Sequence, residues 1–157
     1  MPIHITQAGP LDAPVIAELV GELLQEIMAA IETKVFTFSA VDTEARARRW
    51  LTEGSYTALL ARENGTAVGL LTMAESRALY AEGALGIIPE LYVRPDFRSR
   101  KVGATLLSEA KQVARSRGWT RLEVTTPPLP QFDRALAFYE RQGFSISGGR
   151  KMKFDLS

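Results

Sequence analysis

Leu91-Tyr92-Val93-Arg94-Pro95-Asp96-Phe97-Arg98-Ser99-Arg100-Lys101-Val102-Gly103-Ala104-Thr105-Leu106-Leu107 is the stretch on which the reading of this sequence turns. Its β-prone opening residues end a strand, and Arg94-Pro95-Asp96 makes a turn, because proline fixes φ and lacks an amide proton. A basic run then enters a helix expected over Lys101 to Arg117, whose apolar Val102, Leu106, Leu107, Ala110, Val113 and Ala114 fall on one face. Gly118 is its expected stop. The first amides of a helix have no internal partners and sit at the positive end of its dipole, so they attract anions. Gly103 and Ala104 put no bulk before that backbone, and Arg98, Arg100 and Lys101 add the charge a diphosphate needs. On charge alone the loop reads first as a solvated surface turn and only second as an anion site.

Working outward, Leu85–Val93 reads as a strand interrupted by Pro89, which cannot donate to a sheet ladder and so calls for a bulge or an unpaired side. Upstream, Tyr56–Arg62 and Ala67 to about Glu75 are strands joined through Asn64-Gly65, the strongest short hairpin signal. A helix from Asp12 to about Ile31 carries Val15, Ile16, Leu19, Leu23, Ile27 and Ile31 on one stripe, and a more polar helix opens at Asp42 and runs through Leu51. Ile3–Ala8 is a short opening strand. Downstream come a strand over Arg121–Thr125, the helix breaker Pro127–Pro130, and a short helix from Asp133 to Gln142 capped by Gly143. Phe144–Ser147 and Arg150–Asp155 are expected as a closing hairpin through Gly148-Gly149. This order predicts an α/β fold, a mixed and mostly antiparallel central sheet flanked by helices on both faces.

Length and composition fit one soluble globular domain over 1–157, with 46% apolar and 24% charged residues. No apolar run approaches the roughly 20 residues of a membrane span, the N-terminus lacks a signal-peptide pattern, and there is no cysteine. A cytoplasmic location is the expectation from these absences. The same absences exclude disulfides, Cys-based zinc sites and a thiol nucleophile. The net charge of +1 hides an asymmetry: residues 1–90 hold 6 Lys/Arg against 12 Asp/Glu, and residues 91–157 hold 13 against 6. Such contrast is either two solvated faces or an anion-handling half beside an acidic one. The single histidine, His4, opens the first strand and reads as structural. No His/Asp/Glu spacing suits a metal, and no Ser-His-Asp arrangement suggests a hydrolase.

The opening stretch resembles the acyl-CoA-binding motif of the GNAT (Gcn5-related N-acetyltransferase) superfamily, Gln/Arg-x-x-Gly-x-Gly/Ala after a strand ending Leu-x-Val. Arg98 matches its first position, Gly103 its last and Leu91-Tyr92-Val93 its strand, while Lys101 replaces the first glycine. Ala135-Leu136-Ala137-Phe138-Tyr139-Glu140-Arg141-Gln142-Gly143-Phe144 is similar to the family's helix near the thiol, with Phe132 standing where an asparagine is common. The resemblance implies a GNAT-like acyl-CoA N-acyltransferase fold and transfer of an acetyl group from acetyl-CoA, as cosubstrate, to a primary amine by direct attack, with no metal. It implies that the backbone of Leu91 and Val93, either side of Tyr92, pairs with the pantetheine arm, and that Arg98, Ser99, Arg100, Lys101, Val102, Gly103 and Ala104 hold the diphosphate. The acceptor is a small-molecule or protein amine, and dimerisation, common in the family, suggests a homodimer.

By the same resemblance Tyr139 is the candidate general acid for the departing thiolate. Two strand carboxylates, Glu90 and Glu123, are candidate bases; each is flanked by apolar residues, which favours partial burial, and some family members use a water chain instead. Alternation places Glu90 and Tyr92 on one sheet face and Leu91 and Val93 on the other, unless Pro89 forces a bulge. A non-catalytic acyl-CoA-binding module on the same fold is the competing reading. A nucleic-acid-binding role for Arg94–Lys101 and Arg115–Arg121 lacks interleaved aromatics or a recognised motif.

Overall fold

The computed structural model describes residues 2–156. Its elements run β1 (His4–Gln7), α1 (Ala13–Ile31), α2 (Ala40–Glu53), β2 (Thr57–Glu63), β3 (Thr66–Ala78), β4 (Gly83–Ile88), β5 (Leu91–Val93), α3 (Val102–Ser116), β6 (Leu122–Val124) and α4 (Asp133–Arg141). The sheet order is β1-β2-β3-β4-β6, with β5 also paired to β3. All pairs are antiparallel except β4 with β6. This is the mixed, mostly antiparallel α/β sheet that the sequence predicts.

The run Ala58-Leu59-Leu60-Ala61 is buried throughout because helices cover both faces of β2. Leu59 and Ala61 join Leu71, Met73, Val102, Leu106, Leu107 and Tyr139 in the core beneath α3 and α4. Ala58 and Leu60 join Ile16, Leu19, Ala47, Leu70 and Tyr92 beneath α1 and α2. The β2–β3 hairpin closes as expected, with Asn64 and Gly65 both at positive φ, as a type I′ turn demands.

Four local expectations change. The strand expected over Leu85–Val93 divides into β4 and β5: Ile88, Pro89 and Glu90 lie opposite only Thr72 and Met73, so the ladder slips by one residue at the proline. Helix α2 starts at Ala40 rather than Asp42, because the Ser39 hydroxyl accepts the Asp42 amide at 3.2 Å and is the true cap. Asp12 does precede α1, but its carboxylate accepts the Gly9 amide and pairs with Arg62 instead of capping the helix. The closing hairpin is absent: Gly148 and Gly149 take turn conformations, yet residues 144–156 contain no strand, and Ile146, Met152, Phe154 and Leu156 are exposed. Arms this short are marginal unless they join a sheet. No helix among the described residues is long and apolar enough to cross a membrane.

Candidate active site

The slip at Pro89 creates the site. Glu90 O accepts the Thr72 amide and the Arg94 amide donates to Val68 O, so the even-numbered residues of β5 point their backbone groups at β3. The amides and carbonyls of Leu91 and Val93 therefore point the other way, to an edge that no described strand occupies. The ladder between β4 and β6 ends at Ile88 and Val124, so past that point the sheet is open between β5 and β6. Val93 O accepts the Arg98 side chain at 2.8 Å; the remaining polar groups of that edge stay available for an added extended chain.

The connection from β5 to α3 is a 3-10 turn over Pro95–Arg100, and Lys101 links it to the helix at φ 60°, ψ 24°. That left-handed conformation is the one glycine adopts without strain. Lysine at this position therefore keeps the backbone path while bearing a conformational cost. No side chain caps α3, so its leading amides at Val102, Gly103 and Ala104 face outward without a partner in the helix. Gly103 has a second duty: a Cβ there would meet the Phe138 ring at 3.1 Å, so the glycine lets α4 seat on α3.

The basic side chains are more constrained than charge counting implies. Arg98 pairs with Glu26 at 2.5 Å and Arg100 with Glu63, while Arg94 grips Glu22 through two nitrogens at 2.9 and 3.1 Å and reaches Glu18. Hydrogen bonding to Glu22 raises the Arg94 pKa, and Tyr92 donates to the same carboxylate at 3.1 Å. Burial first, then Glu22, pushes the Tyr92 phenol up to about 12.

On the α1/α2 side lies a cavity of about 240 Å³, lined by both helices, Thr37 and Phe38 of their connection, and β2, β3 and the bulge. Glu90 is its only carboxylate among the described residues. Oε1 of Glu90 accepts the Tyr56 hydroxyl at 2.8 Å and the Thr72 hydroxyl, while Oε2 has no partner among the described residues. Tyr56 packs on Trp50 with ring centroids 5.1 Å apart. Burial, and then the neighbouring Glu90 charge, drives the Tyr56 phenol well above its usual range, so it stays a donor and holds the carboxylate still.

The other candidates are placed as follows. Tyr139 is buried on the α3/α4 face, edge-on to Phe138 and Phe144, and burial pushes its phenol up to about 12. Its hydroxyl has no hydrogen-bond partner among the described residues, yet no buried side-chain oxygen lacks one, so the hydroxyl opens to solvent. Glu123, on the edge strand β6, pairs with Arg121 at 2.7 Å and leaves 42% of its side chain exposed. It does not line the cavity. Glu90 and Tyr92 share a face as expected. Tyr56, Thr72 and Arg46 were not singled out in the sequence, because their association with Glu90 or its cavity links distant elements and follows no motif. No group of three His, Asp or Glu among the described residues is placed to hold a metal.

An open strand edge and a carboxylate-bearing cavity flank one bulge, and the strand leads through a turn to an uncapped helix start; comparison with known proteins agrees with this class of site. Residues 22–144 match the acetyltransferase (GNAT) family, and the chain belongs to that family. It is 35% identical over 94 residues to the aminoalkylphosphonate N-acetyltransferase of Salmonella typhimurium strain LT2, a match that spans only 60% of the chain and 60% of that relative. The fold superposes on an aminoglycoside acetyltransferase from an uncultured soil metagenomic sample, solved with trehalose, at TM-score 0.78 and 20% identity, covering 99% of this chain and 97% of the other. It also superposes on a predicted acetyltransferase of Clostridium acetobutylicum solved with acetyl-CoA, at TM-score 0.79 and 14% identity, with the same coverage of each. At these identities the likeness to solved structures establishes the fold.

Proposed function

We propose that this chain, as one domain, transfers the acetyl group of acetyl-CoA directly to a small primary amine. The observation that carries the reading is the dual character of the bulge: the outer edge of β5 is free on one side, and Glu90, the residue before it, enters the cavity on the other. In this reading the backbone of Leu91 and Val93 holds the pantetheine arm, with Tyr92 fixing the strand through its bond to Glu22. The amides of Val102, Gly103 and Ala104 hold the diphosphate. Ser99, Arg100 and Lys101 shape the loop before them, with Arg98 pinned across Val93 O. The thioester of acetyl-CoA supplies the acyl group at the opening between β5 and β6.

The acceptor occupies the cavity. Its ammonium gives a proton to Glu90, and the freed nitrogen attacks the acetyl carbonyl carbon as the carbon–sulfur bond breaks. Tyr139, kept protonated by burial, donates to the departing sulfur. The excess proton on the new amide nitrogen and the proton held by Glu90 leave to solvent, and solvent restores Tyr139. Glu90 is preferred to Glu123 because it is the one held by two hydroxyl donors with an oxygen left free, whereas Glu123 is engaged by Arg121. A cavity near 240 Å³ is below the roughly 300–1,000 Å³ of drug-sized sites, which favours a small amine over an aminoglycoside or a protein terminus.

Free-thiol release from acetyl-CoA with a panel of amines tests this. Glu90→Gln is expected to lower kcat about 10²-fold, the scale of a lost general base, while Glu123→Gln changes it less than about threefold. The reverse ranking would transfer the role to Glu123. Acetyl-CoA binding without thiol release for any amine would favour the non-catalytic module.

A further inference from the structure

On the acetyltransferase reading above, we infer that the acceptor is a dipolar amine, carrying a carboxylate, phosphate or phosphonate on the same short skeleton, and that Arg46 holds this anion while Glu90 receives the amine. Thr43, Arg46, Ala47, Trp50 and Leu51 of α2 line the cavity, Arg46 as an exposed side chain. Four of these five are uncharged, and Ala47 is buried in the core. Arg48 and Arg49, exposed like Arg46, pair with Glu44 and Glu53 one helical turn away. Arg46 has no ion-pair or hydrogen-bond partner among the described residues, and the residue one turn ahead of it is Trp50.

The cavity thus contains one cation and one carboxylate, contributed by different elements and not paired with each other. The carboxylate is restrained by Tyr56 and Thr72, whereas the guanidinium is free to make the planar, two-pronged contact that suits a carboxylate, phosphate or phosphonate. An amine without an anion would engage Glu90 alone, whereas an amine with its own anion engages both charged groups of the cavity. A cavity of about 240 Å³ suits a short chain between those ends.

The experiment compares β-alanine and aminoethylphosphonate with propylamine, using wild type, Arg46→Gln, Arg46→Lys and Arg46→Glu. Thiol release gives kcat and KM, and calorimetry on the CoA-loaded protein gives amine affinity independently of turnover. Wild type is expected to favour the anionic amines roughly 10- to 100-fold in kcat/KM, the scale of a charge-assisted hydrogen bond. Arg46→Gln should abolish that preference through KM, Arg46→Lys should retain part of it, and Arg46→Glu should reverse it. Comparing carboxylate with phosphonate then identifies which anion fits better. Equal wild-type preference for charged and uncharged amines, or a preference that survives in Arg46→Gln, overturns the inference. If no amine releases thiol, the transferase reading fails, and calorimetry still decides Arg46: anionic amines that bind wild type and not Arg46→Gln support it, and anionic amines that do not bind wild type overturn it.

Discussion

The Tyr139 hydroxyl sits on a buried ring with no protein partner for its proton, and burial raises its pKa to about 12. A phenol so placed keeps its proton at neutral pH and has it to donate. Replacing Tyr139 with phenylalanine is expected to lower kcat about 10²-fold while the KM for acetyl-CoA stays within about threefold; unchanged kcat with chemistry rate-limiting would remove Tyr139 from the acid role. Tyr56, Tyr92 and Tyr139 are all raised, chiefly by burial. The folded state therefore keeps their protons after the unfolded chain, with phenols near 10, has lost them. The stability gained from the neutral phenols is complete below about pH 10 and lost as pH rises from there toward 12, so the urea midpoint should fall through this window. A flat alkaline midpoint would contradict the burial of these phenols.

Two glycines illustrate how elements fix one another. Gly103 admits Phe138, and Gly86 lies under Trp119, where a Cβ would come within 2.5 Å of ring carbons and 2.7 Å of Leu122. The Trp119 indole cannot simply rotate away, since its N–H donates to Glu75 at 2.8 Å. Gly86→Ala should cost about 1–3 kcal/mol, lowering Tm by roughly 2–4 °C per kcal/mol, as calorimetry would show; a Tm within 1 °C of wild type would mean that β4 and β6 are packed less tightly than described. At this scale the sequence is a good guide where the signal is local. Asn64-Gly65 specifies a turn by itself, the stripe from Val102 to Ala114 specifies a helix face, and Pro89 forecasts the break that becomes the bulge. It guides poorly where partners are distant. Tyr56 and Glu90 are 34 positions apart, Thr72 and Glu90 are 18 apart, and nothing in either neighbourhood announces the other. Arg150–Asp155 after Gly148-Gly149 reads as a hairpin strand, but strand formation needs an edge to join, and a turn signal carries no information about whether one is reached.

Across the whole molecule, part of the opposed charge of the two halves is used on each other. Glu18, Glu22 and Glu26 of α1 and Glu63 of β2 meet Arg94, Arg98 and Arg100 of the loop after β5. Half-exposed pairs of this kind add little stability each, but together they fix the approach to α3 against the body of the protein. In the proposed function, the diphosphate then depends on backbone amides and Lys101 more than on the paired arginines. The bulge at Pro89 lies between this donor side and the acceptor cavity, so one irregularity in one strand accounts for both halves of the proposed reaction. The most direct measurement is thermal unfolding with acetyl-CoA. A ligand at about 100 times its Kd stabilises the native state by about 2.7 kcal/mol, so the account predicts a Tm rise on the order of 5–10 °C; no rise at millimolar acetyl-CoA would contradict it.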